Sequence, residues 1–315
     1  MAGRPLTGDL SEQARLAEEA GFDWLVLGDR RAWGPGFNEA LTTLAWLAAR
    51  TDRIGLATAG LILPLYPPVL VAEALANIDV LSGGRLTAGF VLGYRPEEFS
   101  AFGVEPRRRV TLFERGLEAV RSLWVDGRAE VGGSEVRIGP LPLQRPHPPI
   151  WGAGRVDAAI RRTAALCDGW TSSFNEEPDD LAAKIHVYRE AARGGGEVIV
   201  CRDGFCAEGA GRARSTLEPP LLDLLRDYAG WKRASADADR YRDLSWETLR
   251  PRLLVGDPDE FSAQLGRYQA MGADGVILRL QPPLLGHAET MRCIELLGRE
   301  VLPRFRRERH LTPPR

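Results

Sequence analysis

The stretch from residue 86 to residue 103, LTAGFVLGYRPEEFSAFG, places polar side chains directly after an apolar run of strand length. Gly93 ends that run, and a glycine lets the backbone approach a ligand closely. Arg95 could bind a phosphate or an anionic substrate, or it could pair with Glu97 or Glu98 and shape the loop. Carboxylate pairs can carry out acid–base chemistry. These two are adjacent in a predicted loop, however, and we expect both to be solvated.

A second stretch with chemical potential is GAGR at residues 152–155, which lies between a predicted strand and a predicted helix. Exposed amides at the N-terminus of a helix bind anions. A lone Gly-x-Gly is weak evidence, so its meaning depends on where the fold places it.

Histidine and cysteine chemistry is not indicated. None of the four histidines lies in a motif at the end of a predicted strand, so catalysis that needs an imidazole is not expected. The four cysteines are scattered, and their spacing fits neither a zinc site nor a disulfide framework. We expect reduced, mostly packed thiols in a cytoplasmic protein, with no metal.

The elements that must position these residues alternate along the chain. Predicted strands begin near residues 24, 54, 86, 149, 169, 197 and 275, with helices between them. This alternation implies parallel pairing through right-handed crossovers. A closed (β/α) barrel needs eight strands. The missing one should precede the first helix, which Asp9 and Glu12 mark by a capping-box pattern, yet Pro5 makes the preceding residues a poor strand.

Three explanations for the missing strand stay open: an upstream start was missed, the barrel is natively incomplete, or another chain fills the seam. An open barrel would leave two unpaired strand edges, which proteins normally cover. We therefore expect a dimer partner or the C-terminal tail to cover this seam.

The domain prediction is one unit over residues 1–315, interrupted at about residues 208–250 by a long charged stretch. That stretch is either a surface excursion with short helices or a lid over an active site. A lid would present its aromatic residues to a substrate. These are Tyr228, Trp231, Tyr241 and Trp246.

Composition excludes several classes of partner. The net charge of −2 gives no general attraction to nucleic acid or anionic lipid, and no basic stripe with interleaved aromatic residues is present. No apolar stretch of about 18 residues could span a membrane. The first ten residues lack the apolar core of a signal peptide.

Six motifs, in the order in which they follow one another along the chain, resemble those of the luciferase-like flavin-dependent monooxygenase family. This family also contains deazaflavin (F420)-dependent reductases. The six motifs are AEEAGFDWLVLGD, the run from LAARTDRIGLATAG to SGGRL, GYRPEEFSAFGV, PLPLQRPHPPIWGAG, ALCDGW and GADGVILRL. The resemblance covers nearly the whole chain and implies a (β/α)8 TIM barrel of the bacterial luciferase type. Here its first strand is missing or atypical. Family members hold a reduced flavin at the C-terminal ends of the strands and often form homodimers.

The resemblance also implies where the cofactor binds. A non-prolyl cis peptide is expected at Ala59–Gly60 beneath the flavin ring, although Gly60 could be only a bulge. The GAGR amides are expected to bind the flavin phosphate, and Trp170 is either near the ring or plain core. The implied cofactor-binding residues are Ala59, Gly60, Gly93, Tyr94, Gly152, Gly154, Arg155, Val156, Trp170 and Thr171.

The chain departs from the family pattern at Arg30 and Arg31, which stand where many relatives carry a histidine. Light emission is therefore not expected. Arg30 and Arg95 are the candidate catalytic residues. The candidate substrate-contacting residues are Trp33, Leu61, Leu63, Trp231, Arg279 and Gln281.

The function predicted from this resemblance is oxygenation of a medium-sized organic molecule, in specialised metabolism, by reduced FMN and O2. A separate flavin reductase would supply the reduced FMN. Two alternatives stay open: an F420-dependent oxidoreductase that transfers a hydride without O2, and a non-catalytic flavin-binding accessory protein.

Overall fold

The computed structural model describes residues 6–31, 38–232, 244–280 and 285–305, with the side chains of residues 6–8, 227, 228 and 230–232 excepted. Parallel strands curve into a nearly closed barrel, as the sequence predicts. In chain order these strands are β1 (Trp24–Leu27), β2 (Gly55–Thr58), β3 (Leu61–Ile62), β4 (Leu86–Val91), β7 (Ile150–Ala153), β8 (Gly169–Thr171), β9 (Glu197–Cys206) and β11 (Gly275–Arg279).

The barrel has seven strand positions among the described residues, because β2 and β3 pair in succession with the same neighbour, β4. The ladder runs from β1 through β2/β3, β4, β7 and β8 to β9, and β11 then pairs with the first half of β9. Within the part of the chain that the structure describes, β1 pairs only with β2 and β11 only with β9, so these residues leave the ring open between β1 and β11.

Three further strands lie outside this ring. β5 (Arg128–Val131) and β6 (Ser134–Arg137) form an antiparallel hairpin. β10 (Leu254–Gly256) pairs with the second half of β9, beyond the barrel. This three-residue strand was not predicted.

Helices surround the barrel. They are α1 (Leu6–Ala20), α2 (Ala40–Ala48), α3 (Pro68–Leu81), α4 (Pro96–Ala101), α5 (Arg109–Asp126), α6 (Asp157–Leu166), α7 (Pro178–Ala191), α8 (Ala210–Lys232), α9 (Trp246–Leu249), α10 (Pro258–Ala270) and α11 (His287–Leu296). None of the described helices is long and apolar enough to cross a membrane.

The predicted start of the first helix is wrong. α1 already begins at Leu6, so Asp9 lies within its first turn. A carboxylate there interacts favourably with the helix dipole but does not cap the end of the helix. The helix ends at Ala20, and Gly21 follows with φ of 88°, in the left-handed region that glycine enters without strain.

The charged stretch at about residues 208–250 contains more regular structure than expected. α8 runs for 23 residues through Pro219 and Pro220, and it packs Leu217, Leu221 and Leu225 into the core. Trp246 is also buried there, so it does not face a substrate. The other lid aromatics, at positions 228, 231 and 241, lie outside the described side chains.

The barrel interior is filled by a small apolar cluster. Ala57, Trp151 and Ile199 form its buried part, and Trp24 meets the Trp151 ring edge-on at a centroid distance of 5.5 Å. Larger clusters fill the space between strands and helices. The packed interior leaves the C-terminal ends of the strands as the place for a ligand.

Candidate active site

A cavity of about 1370 Å³ opens at the C-terminal ends of the strands and continues into the gap between β1 and β11. The upper part of this cavity is lined by residues from the C-terminal portions of β1, β4, β7, β8, β9 and β11 and from the link between β2 and β3. The sequence-predicted residues that line it are Arg30, Ala59, Gly60, Gly93, Tyr94, Gly154, Arg155, Thr171 and Arg279. Half of the eighteen predicted site residues are thereby brought together at the predicted rim.

A buried ionic cluster fixes the loop after β1. Asp29 accepts hydrogen bonds from the Ile62 amide (3.0 Å) and from the Tyr66 hydroxyl (2.7 Å). Arg31 Nε lies 3.0 Å from Asp29 Oδ1, and Arg31 Nη2 donates to Glu39 Oε1 at 2.7 Å. Burial, together with the negative charge of Asp29, raises the pKa of Tyr66, so its phenol stays protonated. This cluster holds Arg31 away from the cavity and leaves Arg30 at its wall.

Arg30 meets Tyr94 across the mouth of the cavity. Arg30 Nη1 donates to the Tyr94 hydroxyl at 2.9 Å, and its guanidinium carbon lies 6.0 Å from the ring centroid. The two residues come from the ends of β1 and β4. Together they offer a cation and a hydroxyl to an oxygen atom of a bound molecule.

Arg95 takes the alternative role that the sequence left open. Its side chain is buried, with Nη1 3.8 Å from Glu98 Oε1 and Nε 3.8 Å from Glu97 Oε2, and it does not line the cavity. Arg95 therefore shapes the loop.

The expectation that Glu97 and Glu98 are both solvated is half wrong. The residue Glu98 is only 1% exposed, because α4 turns it inward while the Glu97 side chain remains 62% exposed. Glu98 accepts a hydrogen bond from the Arg31 amide at 3.0 Å and borders the cavity. Its burial raises the pKa of its carboxyl group above the ordinary value, despite the nearby charges of Arg95 and Arg30.

The cavity wall at the ends of β7 and β8 is rich in hydrogen-bond donors. β7 ends at Ala153, and the first turn of α6 follows from Asp157 with no side-chain cap at its N-terminus. Arg155 lies at this wall, where its Nε is 3.2 Å from the buried Glu176. Ser172 and Ser173 follow β8 and complete the wall.

Glycine is required at residue 154 by close packing. A Cβ atom there would lie 2.7 Å from the carbonyl carbon of Ala159 and 2.8 Å from the amide nitrogen of Ile160. The strand end therefore lies directly against the first turn of α6.

Arg279, at the end of β11, forms a third polar feature. Its Nη2 is 2.8 Å from Asp203 Oδ2 and its Nε 2.5 Å from Asp203 Oδ1, while its guanidinium carbon lies 4.4 Å from the Phe174 ring centroid. This ion pair fixes Arg279 at the cavity wall.

The Ala59–Gly60 peptide bond is cis, as predicted, and both residues line the cavity. Gly93 has φ of 73°, and a Cβ there would lie 2.6 Å from Ile62 Cγ2. The presence of glycine at residue 93 therefore has two equally good explanations: close packing against Ile62 and a position at the rim.

Several predicted site residues lie elsewhere. Leu61 and Leu63 are fully buried in the core, and Ile62 between them lines the cavity instead. Trp170 is also core: it stacks on Tyr188 with centroids 5.9 Å apart and donates to the Gly154 carbonyl at 3.0 Å.

Gly152 of the GAGR segment and Val156, which follows it, do not line the cavity. Gly152 faces Thr163 and Cys167 behind β7, and Val156 is 65% exposed outside the cavity. Trp33, Gln281 and the side chain of Trp231 lie outside the described part of the chain.

Cysteine is not a nucleophile here. All four cysteines are free, and burial raises the pKa of each thiol to about 12. The thiolate form is therefore negligible at neutral pH. The polar groups at the cavity are instead arginine, tyrosine, serine, carboxylate and backbone amide.

The model of the luciferase-like monooxygenase family matches residues 3–275. The chain belongs to this family. It is therefore an oxidoreductase with the family's barrel, and the cavity at the strand ends is its candidate active site.

Characterised relatives of this family member span nearly its whole length. It is 26% identical to the FMNH2-dependent dimethylsulfone monooxygenase of Pseudomonas putida, over 93% of this chain and 86% of that protein. It is also 26% identical to the monooxygenase RslO1 of Streptomyces bottropensis, with a TM-score of 0.83 over 95% of this chain and 93% of that one.

The F420-dependent tetrahydromethanopterin reductase of Methanopyrus kandleri shares the fold at 17% identity, with a TM-score of 0.74 over 96% of both chains. The fold is thus shared by a protein whose name states FMNH2 dependence and by one whose name states F420 dependence. Which cofactor this luciferase-like protein uses must be argued from its own cavity.

Proposed function

We propose that this protein is a monooxygenase that uses reduced FMN and O2 to oxidise a medium-sized organic substrate. The observation that carries the proposal is a single cavity that gathers Arg155, Ser172 and Ser173 from the ends of β7 and β8 together with the Arg30–Tyr94 pair. The FMNH2-dependent relative, alignable over 93% of the chain, supports the same choice.

The residues present fit a flavin mononucleotide. The uncapped first turn of α6, Arg155 and the Ser173 hydroxyl suit a phosphate group, which favours backbone amides and charge-assisted donors. The Ala59–Gly60 segment adds a wall without bulky side chains, against which a flat ring could lie. When bound, reduced FMN supplies the electrons that activate O2.

The chain's own residues orient the substrate and limit the entry of water. Arg30 and Tyr94 present donors to a carbonyl or hydroxyl oxygen, and the Asp203–Arg279 pair presents another at the end of β11. Ile62, Leu92 and Phe174 make the intervening wall apolar. Fixed donors in a poorly hydrated cavity interact more strongly than the same donors in water.

A separate flavin reductase would supply the reduced FMN, since the proposed cavity takes up a flavin that is already reduced. The four free, buried thiols are compatible with a reducing compartment, and we place the protein in the cytoplasm.

The test is anaerobic titration of the protein with reduced FMN and with reduced F420, followed by exposure of each complex to O2. We expect tighter binding of reduced FMN, and O2 consumption that couples to oxygenation once a substrate is found. Anaerobic turnover with reduced F420 would overturn the proposal in favour of hydride transfer. Tight flavin binding with O2 consumption no faster than that of free flavin would instead indicate a non-catalytic protein.

A further inference from the structure

The segment of residues 173–177 links β8 to α7 and forms part of the cavity wall. It contributes Ser173, Phe174 and Asn175 to the lining. Its residues lie in neither a helix nor a strand. Side-chain contacts with neighbouring elements must therefore hold it in place, because a loop without such contacts samples many conformations.

Two of these contacts come from elements close to the segment in the barrel. Glu176, which is 1% exposed, accepts a hydrogen bond from Arg155 Nε at 3.2 Å and also pairs with Lys184 of α7. Arg202 of β9 donates from Nη1 to the Ser173 carbonyl oxygen at 3.4 Å. These contacts fix the segment at residues 173 and 176, and the contact that fixes the Asn175 side chain comes from elsewhere.

That contact is made by Arg252, the last residue of a 3-10 turn (Arg250–Arg252) that follows α9. Arg252 Nη1 donates to Asn175 Oδ1 at 2.9 Å, and its Nη2 pairs with the Glu177 carboxylate. The Arg252 side chain is only 12% exposed. A guanidinium group can only donate, so it binds the oxygen of the Asn175 amide and directs the amide NH2 group away from itself.

The stability of the local structure does not explain this arginine. Its Nε is buried without a hydrogen-bond partner among the described residues, and a buried polar group in that state costs free energy. Arg252 also pairs with the N-cap residue of α7, Glu177, and the helix dipole disfavours a cation at that end. An arginine with these costs is better explained by what it holds at the cavity wall.

The turn that carries Arg252 is itself firmly attached to the fold. Arg250 donates to the Val255 carbonyl oxygen at 3.1 Å, which ties the turn to β10. Ahead of the turn, Trp246 and Leu249 of α9 are buried in the same core cluster as side chains of α8. Arg252 therefore connects the helices α8 and α9 to the wall of the cavity.

We propose that Arg252 is a positioning residue of the active site, which orients the Asn175 amide and thereby fixes the wall against which the flavin binds. Its effect on the cofactor is indirect and passes through Asn175. The inference rests on the proposed function only where it names the flavin as the ligand. The placement of the wall itself can be measured without a ligand.

The test uses the full chain with five sets of substitutions. Arg252→Gln removes the cation, and Arg252→Lys keeps the charge but lacks the fork that reaches both Asn175 and Glu177. Asn175→Ala removes the acceptor, and it is also combined with Arg252→Gln. The matched control is Arg226→Gln, because Arg226 forms an exposed ion pair with Asp223 on α8.

The first measurement is NMR relaxation of the backbone amides without ligand. In Arg252→Gln we expect the order parameter of the Asn175 amide to fall from about 0.85, typical of rigid backbone, to about 0.6 or below. The amides of α9 and β10 should stay as rigid as in the parent protein. Arg252→Lys should give an intermediate value, and Arg226→Gln should match the parent.

The second measurement is fluorescence titration with oxidised FMN. Arg252→Gln and Asn175→Ala should each weaken binding by about tenfold, and the double variant should bind no more weakly than either, since both substitutions remove the same contact. Arg252→Lys should restore the affinity to within about threefold of the parent. Arg226→Gln should leave it unchanged.

Four results would overturn the proposal. An unchanged order parameter at Asn175 in Arg252→Gln would show that the wall is placed without Arg252. A loss of order throughout α9 and β10 would show that Arg252 only supports its own turn. Parental FMN affinity in Arg252→Gln, or an additive loss in the double variant, would show that Arg252 does not act on the cofactor through Asn175.

Failure of the proposed function gives a different result. If the parent protein itself does not bind FMN, the flavin assignment fails, while the order parameters still decide whether Arg252 positions the wall. If Arg252→Gln does not fold, the comparison of Arg252→Lys with the parent decides in the same way.

Discussion

Arg30 and Arg95 follow strand ends in similar sequence contexts, yet only Arg30 reaches the cavity. Arg95 is buried beside Glu98, whereas Arg30 donates to Tyr94 at the mouth. Sequence could place both arginines at the rim, because glycine and polar residues follow each apolar run. It could not separate their roles. The turn of α4 decides which of the two adjacent glutamates is buried, and Arg95 is buried beside that glutamate.

The first residue-level prediction concerns Arg30. Replacing it in Arg30→Gln removes the cation that faces Tyr94, so kcat/KM should fall by about tenfold or more, a loss on the order of 1.4 kcal/mol in transition-state stabilisation. Binding of reduced FMN should change less than twofold. The matched control is Arg128→Gln in the exposed β5–β6 hairpin, which should leave both quantities unchanged. An equal loss in both variants would contradict the role of Arg30.

The second residue-level prediction concerns the buried carboxyl group of Glu98. Its pKa is raised in the folded protein by burial, with Arg95, Arg30 and Asp29 as its charged neighbours. The folded state therefore retains the proton to higher pH than the unfolded chain. The stability that this proton gives is complete below the ordinary glutamate pKa of about 4.3 and is lost as pH rises through the raised value.

Glu98→Gln removes this loss while keeping an oxygen for the Arg31 amide. Relative to the parent protein, the variant should therefore gain free energy of unfolding as pH rises from about 4.3. Urea unfolding at a series of pH values measures this difference, and Glu97→Gln at the exposed neighbour should show little trend. A difference independent of pH, or one of opposite sign, would refute the prediction.

At the scale of elements, the sequence of a buried parallel strand does not show which of its side chains face the cavity. Leu61, Ile62 and Leu63 are all apolar, so the sequence could not show that Ile62 alone turns to the cavity. The same ambiguity placed Trp170 near the ligand, although Thr171 has that position. Strands buried on both faces carry no alternation from which to read this, whereas the order and type of strands and helices were readable.

The element-scale prediction concerns the start of α6. Arg155→Gln removes a cation from the wall assigned to the flavin phosphate, so FMN should bind about tenfold more weakly while riboflavin, which lacks the phosphate, binds as before. Arg161→Gln is the control on the same helix, because Arg161 pairs with Glu190 at the exposed surface. Fluorescence titration with both flavins measures the two affinities. Equal weakening for FMN and riboflavin would place the phosphate elsewhere.

At the scale of the whole molecule, one barrel carries two distinct openings. The rim gathers residues from the ends of several strands, as expected where a ligand binds at the C-terminal face. The gap between β1 and β11 follows from the count of strands, and the sequence already indicated it. What the sequence could not show is that the two openings are continuous, because that depends on how α1 and α11 lie across the gap.

The most direct measurement is amide hydrogen exchange of the protein with and without reduced FMN under anaerobic conditions. The account predicts that reduced FMN protects the segments at residues 91–95 and 153–158, at the rim, and leaves the turn at residues 82–85 before β4 unchanged. Protection confined to that opposite end of the barrel, or to β1 and β11 along the gap, would contradict it.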